Sequence, residues 1–275
     1  DSNLDDILKL WTGLGYYRRA ENIYKTSQIL KNKYKYTFPK IYEEIIELPG
    51  IGRSTAGAIL SLAYNKKYPI LDGNVKRVIK RFFAIKGDHN KEKNLWILSE
   101  KLLPNHMNDI YTQSIMDLGS LVCLKKNPLC SICPVKKNCK SLKLNIVDEI
   151  PEKIERKKRK EKILYWFVIQ NKNEKDKILM KKNTSKSIWS NLWCLPSFDS
   201  KEEYDKFLKE HLITSDFNIF QSLEHNLTHL KLKIYVTKIQ IKQEINSHNF
   251  YWKNIYDKIG CPKPVETVIK KLKME

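Results

Sequence analysis

The chain has 275 residues, of which 41% are hydrophobic and 11% aromatic, enough for two folded cores and too apolar for disorder. No apolar run approaches the ~20 residues a membrane helix needs, which excludes helical membrane spans. The formal charge of +20 fits a polyanionic partner, although a chain rich in Lys, Asn and Ile throughout also reaches that charge by composition alone.

The chain opens at Asp1 without a Met, and its first residues read as the middle of an element. It is therefore expected to be a fragment, in which a targeting segment is neither seen nor excluded. Leu4, Ile7, Leu8, Trp11 and Leu14 recur at helical spacing and end at Gly13-Leu14-Gly15, before Tyr16-Tyr17-Arg18-Arg19. A second helix is predicted over Ala20–Asn32, broken by Phe38-Pro39, and a short third over Ile41–Glu47. The stretch Leu48-Pro49-Gly50-Ile51-Gly52-Arg53-Ser54-Thr55-Ala56 then reads as a tight turn entering a helix over Thr55–Ala63. Gly50 and Gly52 permit unusual backbone angles and leave N–H groups uncovered at a helix N-terminus, where partial positive charge suits a phosphate. Tyr68–Leu71 is extended because Pro69 disfavours helix before it. From Asp72, residues Val75, Val78, Ile79 and Phe82 form one helical face, with Lys76, Arg77, Lys80 and Arg81 on the other sides. Helices over Lys91–Leu103 and Asp109–Val122 complete a first region of nearly pure helix.

The character changes after Cys139. Pro151–Lys162 is a charge-dense linker whose one large apolar residue is Ile154. Ile163–Ile169 is a continuous apolar run of strand length, with Lys177–Met180 as its hairpin partner across Asn171–Asp176. Leu230, Leu232, Ile234 and Val236 alternate with polar residues, then the phase slips to Ile239 and Ile241, which predicts a bulge in that strand. A helix after Pro264 carries Val265, Val268, Ile269 and Leu272. The second region is α+β, and the chain has no internal repeat.

Four cysteines, Cys123-x6-Cys130-x2-Cys133-x5-Cys139, crowd one segment. Metal ligation explains that crowding better than two disulfides, since nothing else resembles a secreted scaffold. One CxxC with wider flanks favours an iron–sulfur cluster over zinc, which usually takes two separated CxxC pairs. Cys194 and Cys261 stand alone and read as buried structural thiols.

Together these residues resemble the endonuclease III superfamily of helix–hairpin–helix DNA glycosylases. Leu10–Tyr17, Leu48–Ala58 and Ile70–Val78 narrow the resemblance to the adenine DNA glycosylase (MutY) family, which removes adenine mispaired with 8-oxoguanine. The resemblance implies a multi-domain chain: an all-α glycosylase domain over 1–145 with a [4Fe–4S] cluster on the 123–139 loop, a linker over 146–162, and an α+β Nudix-like (MutT-like) domain over 163–275. Ser187–Pro196 is similar to part of that second domain. Because the long acidic signature of a phosphohydrolase does not follow Pro196, the domain is expected to read the damaged base without a reaction of its own.

Carried over residue by residue, Asp72 matches the family's catalytic aspartate, which stabilises positive charge at the sugar C1′ or bonds to it. Its bare chemistry equally supports a helix cap. Asn74 matches an active-site position with a polar supporting role. Ser54 stands where strand-cutting relatives carry a Schiff-base Lys, implying base removal alone. Tyr16 matches the aromatic wedge that enters the base stack beside the lesion. Gly50, Ile51 and Gly52 match the hairpin's DNA contact, and Lys125 and Lys126 its phosphate contacts on the cysteine loop. His225, Thr228 and His229 fall in the 8-oxoguanine-reading loop, with Leu227 where the usual pattern has an aromatic and Thr228 where it has Ser. The implied partner is double-stranded DNA with an A:8-oxoguanine or A:G mismatch, bound by a monomer in the bacterial cytoplasm at the nucleoid, with no membrane. The family's general acid is a Glu on a helix upstream, and no match for it lies in these 275 residues, so the chain is expected to bind DNA and excise adenine weakly. Two other readings stay open: an endonuclease III-type enzyme for oxidised pyrimidines, and a non-catalytic DNA-binding iron–sulfur protein.

Overall fold

The computed structural model describes residues 2–87, 92–152, 159–184, 188–210, 219–241, 245 and 249–275. Lys91, Ile154 with most of the linker, and Ser187 lie outside the described residues. The chain divides into two compact units, one of Lys25–Arg156 and one joining Asp1–Tyr24 to Lys157–Glu275.

Helix α1 (Leu4–Leu10) is capped by Asn3, whose side chain accepts from the Asp6 N–H. It stops before the expected Leu14, because Gly13 and Gly15 take positive φ. Helix α2 (Arg18–Tyr34) follows, then α3 (Tyr42–Ile46) and α4 (Arg53–Tyr64). Ile45, Ala56 and Leu60 are fully buried between the last two and fix their hairpin. Next come α5 (Gly73–Phe82), α6 (Glu92–Lys101) and α7 (Asn108–Asp117). The helix predicted to Val122 widens at Leu118, where a π-helical turn (Leu118–Val122) takes over. A single helical turn, α8 (Lys140–Lys143), closes the cysteine loop. Every regular element described in this unit is helical.

The other unit is built on a mixed sheet: β1 (Lys160–Asn171), β2 (Lys177–Lys182), β3 (Trp193–Cys194), β4 (Ser197–Phe198), β5 (Ile219–Asn226), β6 (Leu230–Ile241) and β7 (Phe250–Asn254). The path runs β3-β2-β1-β6-β5, with β4 on β1 and β7 on β2. β1 and β2 form the expected antiparallel pair, whereas β1 and β6 run parallel and in register from Lys160 opposite Leu230 to Asn171 opposite Ile241. Helix α10 (Lys263–Leu272) covers one face with Val265, Val268 and Leu272 against Trp166, Val168 and Val236. Helix α9 (Lys201–Glu210) covers the other with Phe207 and Leu208 against Phe167, Ile169 and Ile239. Two covered faces explain why the centre of β1 is apolar without alternation.

The same layering corrects the bulge expected in the Leu230–Ile241 strand. β6 pairs with β1 without interruption, and the irregularity lies across the sheet in β5, between Ile219 and Gln221. The phase slip arises because Leu232, Ile234 and Val236 serve the α10 face while Ile239 serves the α9 face.

Candidate functional site

The hairpin and the acid occupy consecutive elements of the helical unit. Gly50 takes φ +80°, and the Ile51 N–H donates to the Leu48 carbonyl at 3.1 Å, closing a tight turn. Gly52 starts α4 with no side-chain cap, and its Cα faces open space. The hairpin therefore offers exposed backbone N–H groups at the start of α4, as an anion site needs.

Ser54, in the first turn of α4, points its hydroxyl at the chain ahead of Asp72. Its Oγ accepts from the Leu71 N–H at 2.9 Å. From the other side, the buried Ser99 hydroxyl donates to the Ile70 carbonyl at 2.7 Å. Two hydroxyls thus hold the extended run Ile70-Leu71 that delivers Asp72. Gly57 makes this approach feasible, since a Cβ there would collide with the Pro69 carbonyl.

Asp72 is the N-cap of α5: its Oδ1 accepts from Asn74 N at 2.8 Å and Val75 N at 2.7 Å. The residue itself is exposed. A carboxylate that accepts from two N–H groups at a helix N-terminus keeps its orientation. Asn74 is clamped from behind, because its Oδ1 accepts from Arg77 Nη2 at 3.0 Å. A Cβ on Gly119 would sit 2.8 Å from the Asn74 Cβ, so only Gly admits this contact with the π-helical turn.

Arg77 and Arg81 do not lie on the solvent side of α5, as its apolar spacing implied. Arg81 is 2% exposed and Arg77 is 9% exposed, while Lys76 and Lys80 remain half-buried. The guanidinium fork makes this burial possible, since it can donate to several backbone carbonyls at once. Arg77 Nε donates to the Cys123 carbonyl at 2.7 Å, and its Nη2 also donates to the Gly119 carbonyl. Arg81 donates to the carbonyls of Ile150 at 2.7 Å and Leu124 at 2.6 Å, and to Cys123 Sγ at 3.4 Å. The missed signal was residue type: at 77 and 81, but not at 76 and 80, the chain uses Arg.

The structure brings Cys123, Cys130, Cys133 and Cys139 around one cavity of about 30 Å³, walled by Val78, Phe82, Leu118, Leu129, Val135 and Leu142. Burial, then the neighbouring thiols of Cys123, Cys133 and Cys139, push the Cys130 thiol above its usual range, with Arg81 opposing. Among the described residues, no three or more His, Cys, Asp or Glu converge closely enough to hold one ion. Four thiols on one short loop are the donor set that an iron–sulfur cluster would use. Arg81 supports that fit, because its described acceptors are carbonyls and a sulfur rather than a carboxylate, and a buried cation favours anionic sulfur nearby. Lys125 and Lys126 are exposed on the same loop.

In the sheet unit, Tyr16 is 78% exposed at φ +50°, between Gly15 at φ +67° and Tyr17. The Arg19 guanidinium lies 5.6 Å from the centres of both the Tyr16 and Trp11 rings. His225 is the penultimate residue of β5, and Leu227 N donates to the Leu230 carbonyl at 2.8 Å to close a hairpin whose tip exposes Thr228 and His229. Leu227 packs against the core instead of projecting. Burial lowers the His225 pKa below its ordinary value.

Known proteins can be set beside this geometry. Residues 1–104 match the HhH-GPD superfamily of base excision DNA repair proteins, and residues 165–271 match the NUDIX domain. An adenine DNA glycosylase of Buchnera aphidicola subsp. Acyrthosiphon pisum is 41% identical over 284 residues, covering 99% of this chain and 80% of the relative. Its counterpart from subsp. Baizongia pistaciae is 43% identical over 282 residues, covering 99% of this chain and 79% of the relative. The Homo sapiens adenine DNA glycosylase is 35% identical over 144 residues, covering 51% of this chain and 26% of the relative. Among solved structures, a thermostable thymine-DNA glycosylase is 29% identical with a TM-score of 0.47, covering 52% of this chain and 67% of that one.

Proposed function

This chain belongs to the adenine DNA glycosylase family of base excision repair, and we propose that it removes adenine paired with 8-oxoguanine or guanine without cutting the strand. The observation that carries the reading is Asp72, exposed yet held by two backbone N–H groups at the head of α5. As the N-glycosidic bond breaks, the electron pair leaves with adenine and positive charge grows at C1′. Asp72 stabilises that charge or bonds to C1′, and water then supplies the oxygen that ends there. Asn74, braced by Arg77, keeps the first turn of α5 in place beside the carboxylate. Ser54 has no amine with which to form a Schiff base, and its hydroxyl is engaged with Leu71 N, so the sugar–phosphate backbone stays intact.

Gly50, Ile51 and Gly52 bind backbone phosphate, Lys125 and Lys126 add charge to that contact, and Tyr16 enters the stack to ease extrusion of adenine. Cys123, Cys130, Cys133 and Cys139 hold a [4Fe–4S] cluster, which supplies a rigid, electrostatically defined loop. His225, Thr228 and His229 read the base opposite adenine. The protein acts as a monomer on DNA in the bacterial cytoplasm.

Single-turnover excision on A:8-oxoguanine and A:G duplexes tests the reading. Asp72→Asn should slow excision on the order of 10²–10³-fold, the scale of losing one preorganised electrostatic group, with mismatch affinity retained. Full-rate excision by Asp72→Asn, or strand nicking by the wild type, overturns the assignment.

A further inference from the structure

The aromatic wedge residue and the reading hairpin share one compact unit, since Asp1–Tyr24 groups with Lys157–Glu275. Their union is built from specific contacts. The Tyr17 hydroxyl donates to the Cys261 carbonyl at 2.8 Å, and the Thr12 hydroxyl to the Ile259 carbonyl at 3.3 Å. Lys182 pairs with Asp5 at 2.5 Å, and Asn191 Nδ2 donates to Glu21 at 3.0 Å. Gly260 lies so near α1 that a Cβ there would stand 2.9 Å from the Leu8 Cβ.

Trp189 sits at the centre of this union. Like Trp11 and Tyr17, it packs against the buried cluster of Leu8, Ala20 and Leu192. Its ring also stands 5.7 Å from Trp166 and 6.0 Å from the His225 ring. It does so at φ +62°, a left-handed conformation that a bulky residue adopts only when its surroundings hold it there. On the wedge side the contacts continue: Trp11 Nε1 donates to the Gly15 carbonyl at 3.0 Å, and Arg19 covers both Trp11 and Tyr16. A side chain needed only to fill the core has no reason to link the Tyr16 loop to His225 through a strained backbone.

We propose that Trp189 is a positioning residue that ties the Tyr16 loop to the His225–His229 hairpin, so that opening the stack and reading the opposite base occur as one event. The inference rests on the reading role proposed above for that hairpin. It assigns to Trp189 part of the specificity for the base opposite adenine, with no contact to DNA of its own.

The test is equilibrium binding of the 275-residue chain to duplexes carrying A:8-oxoguanine, A:G and A:T, with thermal melting alongside. Trp189→Ala should lower the preference for A:8-oxoguanine over A:G by about 10-fold and leave A:T affinity within about 2-fold, and it should couple to Tyr16→Ala and to His225→Ala by about 5-fold in double-mutant cycles. Trp189→Phe should restore most of the preference. Additive cycles, or a loss spread equally over all three duplexes, overturn the proposal. Should Trp189→Ala fail to fold, Tyr17→Phe, which removes the bond to the Cys261 carbonyl and the one from the Gly13 N–H, takes its place with the same criteria. A wild-type chain with no preference for A:8-oxoguanine overturns the hairpin reading and this inference with it. A wild-type preference with additive cycles overturns the inference alone.

Discussion

In the helical unit Asp72, Asn74, Arg77 and Arg81 are each held by backbone or side-chain partners, the two arginines buried, whereas in the sheet unit Thr228 and His229 stand exposed at a hairpin tip. The first arrangement suits a reaction in which charge appears briefly, since fixed dipoles stabilise it without reorganising. The second suits recognition, where groups must reach a base and settle on it. On the proposed reading, one chain fixes its reacting carboxylate by hydrogen bonds and leaves its reading groups exposed.

The sharpest way to break this contrast is at Arg81. Arg81→Met leaves several buried carbonyls without donors and should destabilise the helical unit on the order of 4 kcal/mol, at about 1–3 kcal/mol per orphaned group. Denaturant unfolding with iron analysis would measure it, and an unchanged midpoint would mean that water replaces the guanidinium. Arg81→Lys should recover only part, because an ammonium lacks the fork. Gly119→Ala comes next. Its Cβ would push on Asn74 at 2.8 Å, which should cost about 2 kcal/mol and weaken adenine excision in the complete protein.

These two residues also mark where the sequence was legible. The hairpin, Asp72, the four cysteines and the two fold classes could be read because each depends on local patterns: glycine spacing, a cap before an apolar face, a cysteine cluster, alternation. The burial of Arg77 and Arg81 could not, because their partners, Cys123 and Ile150, lie 46 and 69 residues away. β5, β7 and α9 escaped notice for a similar reason. β5 has weak alternation, and α9 is a charged helix whose few apolar residues matter only once the sheet is in place. The slip in β6 looked like a bulge because one strand cannot reveal that its two faces meet different helices.

Asp72 separates stability from chemistry within one residue. Asp72→Ala removes the cap and should cost about 1 kcal/mol, whereas Asp72→Asn keeps a capping oxygen and should stay within a few tenths of a kcal/mol. Melting both variants beside their excision rates tests whether the cap and the catalytic group are the same atoms. Equal destabilisation by the two would show that the negative charge, rather than the cap geometry, holds the first turn of α5.

The smallest effect belongs to the sheet unit. Burial holds the His225 pKa below the ordinary value, so the native ring resists protonation more than the unfolded one. Between the two values the unfolded state carries more protons, and stability rises with pH. The contribution is therefore complete above the unfolded value near 6.5 and is lost as pH falls toward the lower folded value. Melting at pH 7.5 and at pH 5.5 should show a modest loss at the acid end, and His225→Gln should reduce that loss. The ring packs beside Trp189, so the same acid step should also weaken preference for A:8-oxoguanine more than general duplex affinity. If His225→Gln leaves the acid sensitivity unchanged, the proton is taken up elsewhere, and the hairpin base is as open to solvent as its tip.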